Sequence, residues 1–518
     1  MHMPTENALV RKIAHGMGLA VIALFVWIAV EPAVQAADTA EAGLKAGVAK
    51  IDVTHPDVPL ATNPLWVKAL VIRNGSNTAV LITVDAVAIG EIGPIRNDYL
   101  GTVRTALQKE LKIDPQHVLV NASHCHGTVC NDVADRTIAA VKQAYHNLVP
   151  VQAGIGVGHE DRVMENRRLF LKNGKEIDIR HAYSMPPDEE VAGVGPVDPQ
   201  IGILRLDTPQ GQPVAVVYNF ACHPIKGVPD GTNTADLTGF ASQVIEDNLG
   251  NDAIALFVQG CAGDINPAKY KDVYNPHNSQ ELGNLLGLSA LTAIRKIKCQ
   301  PTTELKVINE TLALPRADLQ ERIAEMALEK ESLLRSLGGT TLNFKTFVPL
   351  FVRYNLFEEY PSYYSQYYRH EEMLGRNDLQ KLDAENRRNL DAYLRNVRTM
   401  EELTRNQINT RLLEKHQAQN IAAGSRTVDV EIVGLRVGNF VLVTFPGELT
   451  VQIGLNIKQA SPHQPTFVAG YTNGYIYYAP TTKQLQNVGG AQEDSDCILA
   501  PEWQPIFENK VAEILKRL

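Results

Sequence analysis

Cysteine, aromatic residues and net charge are all scarce in this chain. Its 518 residues include 6 cysteines and 6 % aromatic residues, and 49 Lys+Arg stand against 58 Asp+Glu, a formal net charge of −9. So few cysteines exclude a disulfide-stapled mini-protein. The lack of a basic excess or a basic stripe excludes a generic nucleic-acid-binding protein, so we expect no nucleic-acid partner. Hydrophobic residues make up 44 % of the chain, which is enough for a large globular core.

Long hydrophobic runs are missing except for one near the N-terminus, at residues 16–30. Basic residues precede this run, and the small or apolar residues Val34 and Ala36 follow it, which is typical of a secretory signal peptide. The run is shorter than the roughly 20 residues that span a bilayer. We therefore predict a signal peptide at 1–36 and a secreted or periplasmic protein, with an uncleaved membrane anchor as the alternative. Export permits disulfides, and the cysteine spacing leaves one or two bridges open.

The hydrophobic pattern divides the rest of the chain into two β-rich parts separated by a helical one. Residues 37–315 alternate short β-rich runs with helical stretches, which is typical of an α/β or α+β fold. Residues 316–426 place apolar side chains at helical spacing among charges, which predicts an inserted helical hairpin or small bundle. Residues 427–518 return to β-rich runs. We predict a large mixed-sheet catalytic domain in two parts, interrupted by the helical insertion.

Two further patterns concern aromatic residues and glycines. The stretch Tyr354–Tyr368 carries seven aromatic residues, which either pack between helices and core or form a wall beside an apolar substrate. Gly154, Gly156 and Gly158 lack the following helix and acidic partner of a dinucleotide-binding fingerprint. We therefore interpret the three glycines as a turn.

Candidate metal-binding residues follow the ends of predicted strands. One β-rich run ends in His124 and His126, whose spacing lets both side chains converge on one point. A second run ends at His223, a third reaches a Pro-Gly turn followed by Glu448, and residues 471–478 carry four tyrosines. Histidine and carboxylate are ligands that zinc takes, and a zinc site with an open position hydrolyses acyl bonds without a serine or cysteine nucleophile. Ordinary structural histidines and a solvated turn glutamate are the alternative interpretation.

Motifs of other enzyme classes are absent from the sequence. It contains no G-x-S-x-G nucleophile elbow, no phosphate-binding P-loop and no H-E-x-x-H zinc motif. These absences favour a metal site assembled from distant parts of the chain.

The order of the short motifs resembles the neutral/alkaline non-lysosomal ceramidases, which are zinc amidohydrolases of N-acyl sphingoid bases. The resemblance begins at about Ala46 and is carried by Ala46–Thr54, Val84-Asp85, Asn121–His126, Glu165–Arg168, Ala221–His223, Asp236–Gly239, Gln259–Pro267, Pro446–Glu448 and Asn473–Thr481. It implies an exported hydrolase of N-acyl amide bonds with Zn²⁺ as cofactor. The implied partner is a small-molecule or lipid N-acyl substrate, reached in the lipid case by peripheral membrane contact.

The resemblance also implies roles for individual residues. The implied zinc ligands are His124, His223, Glu448 and Tyr478. His126 matches a histidine near the metal and is our first candidate for the general base, with Asp264 the second. Arg167 matches an arginine at the active site, and Arg167 or Tyr478 would stabilise the oxyanion.

Several positions depart from the family pattern. Cys125 stands between the two histidines where the family has threonine, Asn266 replaces a serine, and residues 487–491 lack a tyrosine of the family. These differences leave open a zinc hydrolase of the same fold acting on a different acyl amide or ester, or a non-catalytic binding protein. The oligomeric state is also left open by the sequence.

Overall fold

The structure is a computed structural model, and it describes residues 43–60, 62–179, 185–227, 233–250, 252–270, 274, 278–487 and 490–518. The predicted signal peptide lies outside the described residues. The strands are β1 (Lys45–Asp52), β2 (Trp66–Asn74), β3 (Asn77–Val84), β4 (Val118–Ala122), β5 (Val149–Pro150), β6 (Gln152–His159), β7 (Met164–Asn166), β8 (Arg168–Leu171), β9 (Glu176–Asp178), β10 (Val191–Val194), β11 (Gln200–Asp207), β12 (Pro213–Phe220), β13 (Ile254–Gln259), β14 (Ile265–Pro267), β15 (Leu305–Pro315), β16 (Thr427–Val437), β17 (Phe440–Thr444), β18 (Glu448–Leu449), β19 (Thr466–Ala469) and β20 (Tyr478–Ala479). The α-helices are α1 (Tyr99–Leu111), α2 (Val133–His146), α3 (Asp236–Leu249), α4 (Ser279–Ile294), α5 (Gln320–Ser336), α6 (Phe344–Leu356), α7 (Ser365–Met373), α8 (Asp378–Ala422), α9 (Val451–Ala460), α10 (Thr482–Leu485), α11 (Gln492–Ser495) and α12 (Trp503–Arg517).

Three larger sheets form the main body, and each mixes antiparallel and parallel pairing. Their strand orders are β4-β3-β2-β1-β5, β13-β12-β11-β6 and β15-β16-β17-β19. In each sheet one edge strand pairs in parallel with its neighbour, giving the parallel pairs β3/β4, β12/β13 and β17/β19. The mixed α/β fold class predicted from the sequence is confirmed.

Most of the strands in these sheets are buried on both faces. In β2, Val67, Ala69 and Val71 belong to one hydrophobic cluster, while Leu70 and Ile72 belong to another. This alternation follows from the two-residue period of a strand. The second cluster joins residues of all three larger sheets, whereas the first also includes residues of α1–α4, α9 and α12. Sheet faces therefore pack on one another inside the molecule, and helices cover the opposite faces.

The three regularly spaced glycines lie in strand β6, so their interpretation as a turn is wrong. A Cβ atom at Gly154 or Gly156 would lie 2.4 or 2.5 Å from side-chain carbons of Ile297. The bare backbone of β6 lets the segment after α4 lie directly against the strand. The glycines are explained by this close approach, which the sequence pattern does not reveal.

Helices α5–α8 lie between two neighbouring strands of one sheet. Strands β15 and β16 pair antiparallel from Leu305↔Val437 to Pro315↔Thr427, so residues 316–426 leave and rejoin the sheet at adjacent positions. Helix α8 has 45 residues, a length of about 67 Å at 1.5 Å per residue.

None of the described helices is long and apolar enough to cross a membrane. All six cysteines are free thiols.

Candidate metal centre

The candidate ligands follow the carboxyl ends of strands in three different sheets. His124 lies two residues after β4, His223 three residues after β12, and Glu448 four residues after β17. Each of these strands belongs to the parallel pair of its sheet. Ligand sites in open α/β sheets lie outside the carboxyl ends of strands, and this molecule brings three such ends together.

Two buried side-chain amides tie these strand ends to one another. The Asn121 amide donates to the Gly470 carbonyl at 2.8 Å, and its oxygen accepts from the Gln259 backbone N–H at 2.9 Å. The Gln259 amide donates to the carbonyls of Ser123 at 3.0 Å and Cys222 at 2.8 Å. Because Ser123 and Cys222 each precede a candidate histidine, Gln259 fixes the separation of the two imidazoles.

Both histidines are held in one tautomer by backbone carbonyls. His124 Nδ1 lies 2.6 Å from the Val87 oxygen, and His223 Nδ1 lies 2.9 Å from the Ile265 oxygen. A carbonyl only accepts hydrogen bonds, so each Nδ1 carries a hydrogen, and in the neutral imidazole Nε2 is the nitrogen whose lone pair is available to a metal. His124 also has a φ of 67°, a left-handed conformation that costs a non-glycine residue free energy and is concentrated at functional sites.

The two Nε2 atoms face the carboxylate of Glu448. Glu448 Oε2 lies 3.1 Å from His223 Nε2 and 3.6 Å from His124 Nε2, and all three residues are at most 2 % exposed. Three buried acceptors at this separation repel one another unless a cation or a proton lies between them. Tetrahedral zinc with bonds near 2.0 Å places its ligand atoms about 3.3 Å apart. The donor set therefore fits a zinc-sized cation.

Two tyrosines orient the Glu448 carboxylate. Tyr475 donates to Oε1 at 2.5 Å and Tyr471 donates to Oε2 at 3.0 Å. Burial alone would raise the pKa of Glu448, but the positive charge of His124 and His223 in their protonated forms, together with hydrogen bonds from His223 and Tyr475, outweighs burial and holds this pKa well below its usual range. Burial and the adjacent carboxylate raise the pKa of both tyrosines, so both stay neutral donors. The sequence shows the cluster of tyrosines at residues 471–478 but carries no signal for the role of these two.

Tyr478 lies beside Glu448 and is fixed by a buried arginine. The two residues are register partners in the parallel pair β18/β20, which places their side chains on one face. The Tyr478 hydroxyl accepts from Arg167 Nη2 at 3.1 Å. Arg167 also donates to Glu493 at 2.5 Å and to the Asn266 side-chain oxygen at 3.0 Å. Asn266 is thus part of the hydrogen-bond network that holds Tyr478.

The two candidate bases occupy different environments. His126 is exposed, and its ring centroid lies 5.3 Å from that of His124. Asp264 is buried, and its carboxylate accepts from the first backbone N–H of α9, at Val451 (2.8 Å), and from Asn166 (3.3 Å). The carboxylate of Asp264 therefore holds the start of a helix, whereas His126 has direct access to solvent. The role of either residue as a base stays a prediction.

The end of helix α8 contacts the segment that carries Tyr478. His416 Nε2 lies 2.6 Å from an Asp496 carboxylate oxygen, and the Gln419 amide donates to the Tyr477 hydroxyl at 2.9 Å. The backbone carbonyl of Asp496 in turn accepts from the Tyr478 N–H at 3.1 Å. The helical insertion is therefore part of the support of the site.

A glycine packed against Glu448 provides a test of this geometry. A Cβ atom at Gly263 would lie 2.7 Å from the Glu448 carbonyl oxygen and 2.9 Å from that of Leu449. These are backbone atoms, so Gly263→Ala must displace β18, and we expect metal affinity to fall about 10- to 100-fold. Chelator competition measures this affinity. The control is Gly101→Ala, where nothing lies within 4 Å; wild-type affinity in the Gly263 variant would contradict the prediction.

Comparison with known proteins identifies the fold. No family model matches the chain, and no curated protein matches it. A solved structure described as a ceramidase complexed with C2 is 14 % identical, with a TM-score of 0.57, and the match covers 92 % of this chain and 76 % of that one. The crystal structure of neutral ceramidase from Pseudomonas aeruginosa is 15 % identical, with a TM-score of 0.56, covering 92 % and 75 %. The chain therefore has a fold similar to that of the neutral ceramidases.

Proposed function

We propose that this chain is an exported zinc-dependent hydrolase of N-acyl amide bonds, with a ceramide-like lipid as substrate. The observation that carries the proposal is the buried group of His124, His223 and Glu448, in which two imidazole Nε2 atoms face a carboxylate. The similarity of the fold to two ceramidase structures supports an N-acyl lipid as the substrate class. The predicted signal peptide at 1–36 supports export.

The residues around the metal site have separate tasks in this proposal. His124, His223, Glu448 and Tyr478 would hold the zinc ion, which when bound would supply Lewis acidity toward the acyl carbonyl and would lower the pKa of a water to about 7. His126, at the solvent side of His124, accepts the proton of the attacking water and returns it to the leaving nitrogen.

The remaining charged and hydroxyl groups hold this arrangement in place. Arg167 is a permanent cation that fixes the Tyr478 hydroxyl and favours negative charge developing beside it. Tyr471 and Tyr475 hold the Glu448 carboxylate in one orientation. A site held this rigidly spends little free energy on reorganisation during the reaction.

Cys125 does not compete as a nucleophile in this mechanism. It lies between the two histidines in sequence, but its side chain is fully buried. Burial, followed by the charge of Asp85, raises the pKa of the Cys125 thiol, so the residue is a neutral thiol rather than the reactive thiolate.

A second candidate is hydrolysis of a different acyl amide or an ester on the same scaffold. Asn266 stands where the family has serine, and its side chain accepts directly from Arg167. Arg167 in turn holds the Tyr478 hydroxyl. The presence of asparagine instead of serine at position 266 therefore changes the surroundings of the reacting acyl group. Such a change favours a substrate that differs from ceramide near its scissile bond.

Metal analysis and chelation test the proposal. We expect the purified protein to hold one equivalent of zinc, to hydrolyse an N-acyl sphingoid base, to lose this activity on chelation and to regain it with added zinc. Activity that survives complete metal removal would overturn the proposal. Turnover of a short N-acyl amine or an ester, but not of ceramide, would establish the second candidate. A zinc-loaded protein inert toward all of them would instead indicate a binding protein.

A further inference from the structure

Helix α6 exposes one apolar face to solvent. The helix begins with a capping box in which Asn343 and Thr346 each bond to the other's backbone, and among its residues only Tyr354 is buried. Phe344 is 70 % exposed and Leu356 is 69 % exposed. They share helical spacing with three further exposed side chains, and we call this set the α6 face: Phe344, Val348, Phe351, Val352 and Leu356.

A different side of α6 anchors the helix on α8. The Tyr354 hydroxyl donates to Asp383 of α8 at 2.7 Å. The rings of Phe347 and Tyr393 stack with their centroids 4.4 Å apart. These contacts fix the rotation of α6 on α8, so the α6 face is held in its exposed position.

The aromatic stretch at residues 354–368 is divided between the interior and the surface of the insertion. Tyr354 and Tyr368 are buried, and the hydroxyls of both donate to Asp383. Phe357 is 60 % exposed and Tyr364 is 78 % exposed. The stretch therefore packs within the insertion at some positions and leaves aromatic surface in water at others.

The apolar area of the α6 face is large for a surface in contact with water. Phe344, Phe351 and the adjoining Phe357 are 70, 39 and 60 % exposed, which amounts to roughly 300 Å² of aromatic surface at about 150–250 Å² per side chain. The aliphatic members of the face add to this area. Monomers rarely expose a contiguous apolar patch of more than a few hundred Å², whereas a standard protein–protein interface buries about 800 Å² on each partner. The α6 face therefore has the area expected for the centre of an interface.

Charges of opposite sign lie at the two ends of the α6 face. Lys345 stands near the start of the helix, on the same side as Val352 and Leu356 by helical spacing. Glu358 and Glu359 directly follow the helix, and all three charged side chains are exposed. The 13 residues of α6 separate the two ends by about 20 Å. The face thus runs from a cation to a pair of carboxylates.

These charges are not neutralised within the described part of the chain. Neither Lys345 nor the two glutamates takes part in an ion pair with a described residue. The arginines nearby bond to backbone carbonyls: Arg353 donates to Ser362 at 2.8 Å, and Arg387 of α8 donates to Glu358 at 2.7 Å. Both ends of the α6 face can therefore pair with charges of another molecule.

We infer that the α6 face is the interface of a homodimer in which two copies of the helix pack antiparallel. A two-fold axis near Phe351 and Val352, in the middle of the face, lays the apolar side chains of one copy on those of the other. The same axis brings Lys345 of each copy beside Glu358 and Glu359 of the second copy. An isologous contact requires such a self-complementary patch. An anionic membrane would instead repel the two carboxylates.

The dimer contact is separated from the metal centre by the length of α8. Tyr393, which packs on α6, and His416, which contacts Asp496 beside the centre, are 23 residues apart, or about 35 Å along the helix. The inference concerns assembly and does not depend on the proposed chemistry.

Charge reversal in the full-length protein tests the inference. Analytical ultracentrifugation from about 1 to 100 µM should show a reversible dimer of the wild type. Lys345→Glu gathers three carboxylates at each end of the contact and Glu358→Lys/Glu359→Lys gathers three cations, so either variant alone should dimerise about tenfold more weakly. An equimolar mixture of the two variants should dimerise like the wild type, because each end then joins opposite charges. The control Lys330→Glu, an exposed position of α5, should leave the dimer unchanged.

A second pair of variants tests the apolar part of the contact. Phe344→Ser/Leu356→Ser removes two exposed apolar side chains from each copy, and we expect the dimer to weaken by about 100-fold or more. The matched control Leu328→Ser/Leu334→Ser replaces two exposed leucines of α5 and should dimerise like the wild type. Residues 16–30 are present in every variant, so association through them would be equal in all.

Several results would overturn the inference. These are a wild type that stays monomeric over the whole range, equal association by the wild type and the Phe344→Ser/Leu356→Ser variant, and a mixture of charge variants no stronger than its components. A monomeric wild type whose α6 face binds phosphatidylglycerol vesicles would also overturn it, with lipid as the occupant. All variants should hydrolyse a soluble short-chain N-acyl substrate at the same rate per chain. If none of them does so while the dimer behaves as expected, the proposed function fails and the dimer stands.

Discussion

Replacing Glu448 by glutamine is expected to abolish stoichiometric metal binding and to lower amide hydrolysis by more than about 100-fold. The carboxylate is the one negative group between His124 and His223, and it is 1 % exposed. A neutral amide of the same shape keeps the packing but removes the charge that attracts a cation. Metal content per protein and the rate constant kcat measure the two effects.

A second buried glutamate supplies the matched control. Glu160 is also 1 % exposed, but it pairs with Arg162 and Ser289, far from the candidate ligands in the chain. Glu160→Gln should therefore keep the metal and the activity, whatever it does to stability. If Glu448→Gln retains one equivalent of metal, the assignment of this centre is wrong.

Replacing Arg167 by methionine is expected to lower both stability and activity. Arg167 is fully buried and bonds to Glu493, Asn266 and Tyr478. Removing one partner of a buried ion pair is destabilising by about 3–5 kcal/mol, which urea denaturation measures. We also expect kcat to fall about 100-fold because the Tyr478 hydroxyl loses its donor.

A double variant separates these two effects of Arg167. In Arg167→Met/Glu493→Gln the carboxylate that faced the guanidinium is also neutralised, so part of the lost free energy of unfolding should return. The activity should stay low, because the Tyr478 hydroxyl is still without the Arg167 donor. Recovery of activity together with stability would mean that Arg167 is only structural.

Elements with strong local periodicity could be predicted from the sequence within a few residues. Strand β12, helices α2 and α8, and the β16–β17 hairpin at Gly438 all follow from apolar spacing and turn residues close in the chain. Sheet order could not be predicted, because it depends on pairing between distant segments. The turn predicted at the glycines of β6 is wrong for the same reason: these glycines contact Ile297, which is distant in the chain, and the local pattern carries no sign of that contact.

In the candidate site, the individual residues could be predicted from their neighbours in the sequence, but their convergence at one point could not. His124, His223 and Glu448 could be singled out because each follows the end of an apolar run. Their convergence depends on contacts such as the one between Asn121 and Gln259, which are 138 residues apart in the chain: the Asn121 side-chain oxygen accepts from the Gln259 backbone N–H. A single sequence carries no signal for such a pair.

The joining of three sheets through Asn121 and Gln259 has a consequence for the stability of the folded protein. A cation site assembled from residues 124, 223 and 448 exists only when all three sheets have met, so an unfolded chain offers no comparable affinity. For a metal ion bound at this site, each tenfold rise in its free concentration above the dissociation constant would add about 1.4 kcal/mol to the free energy of unfolding. The lifetime of the protein against heat and proteases would therefore follow the supply of metal in its surroundings.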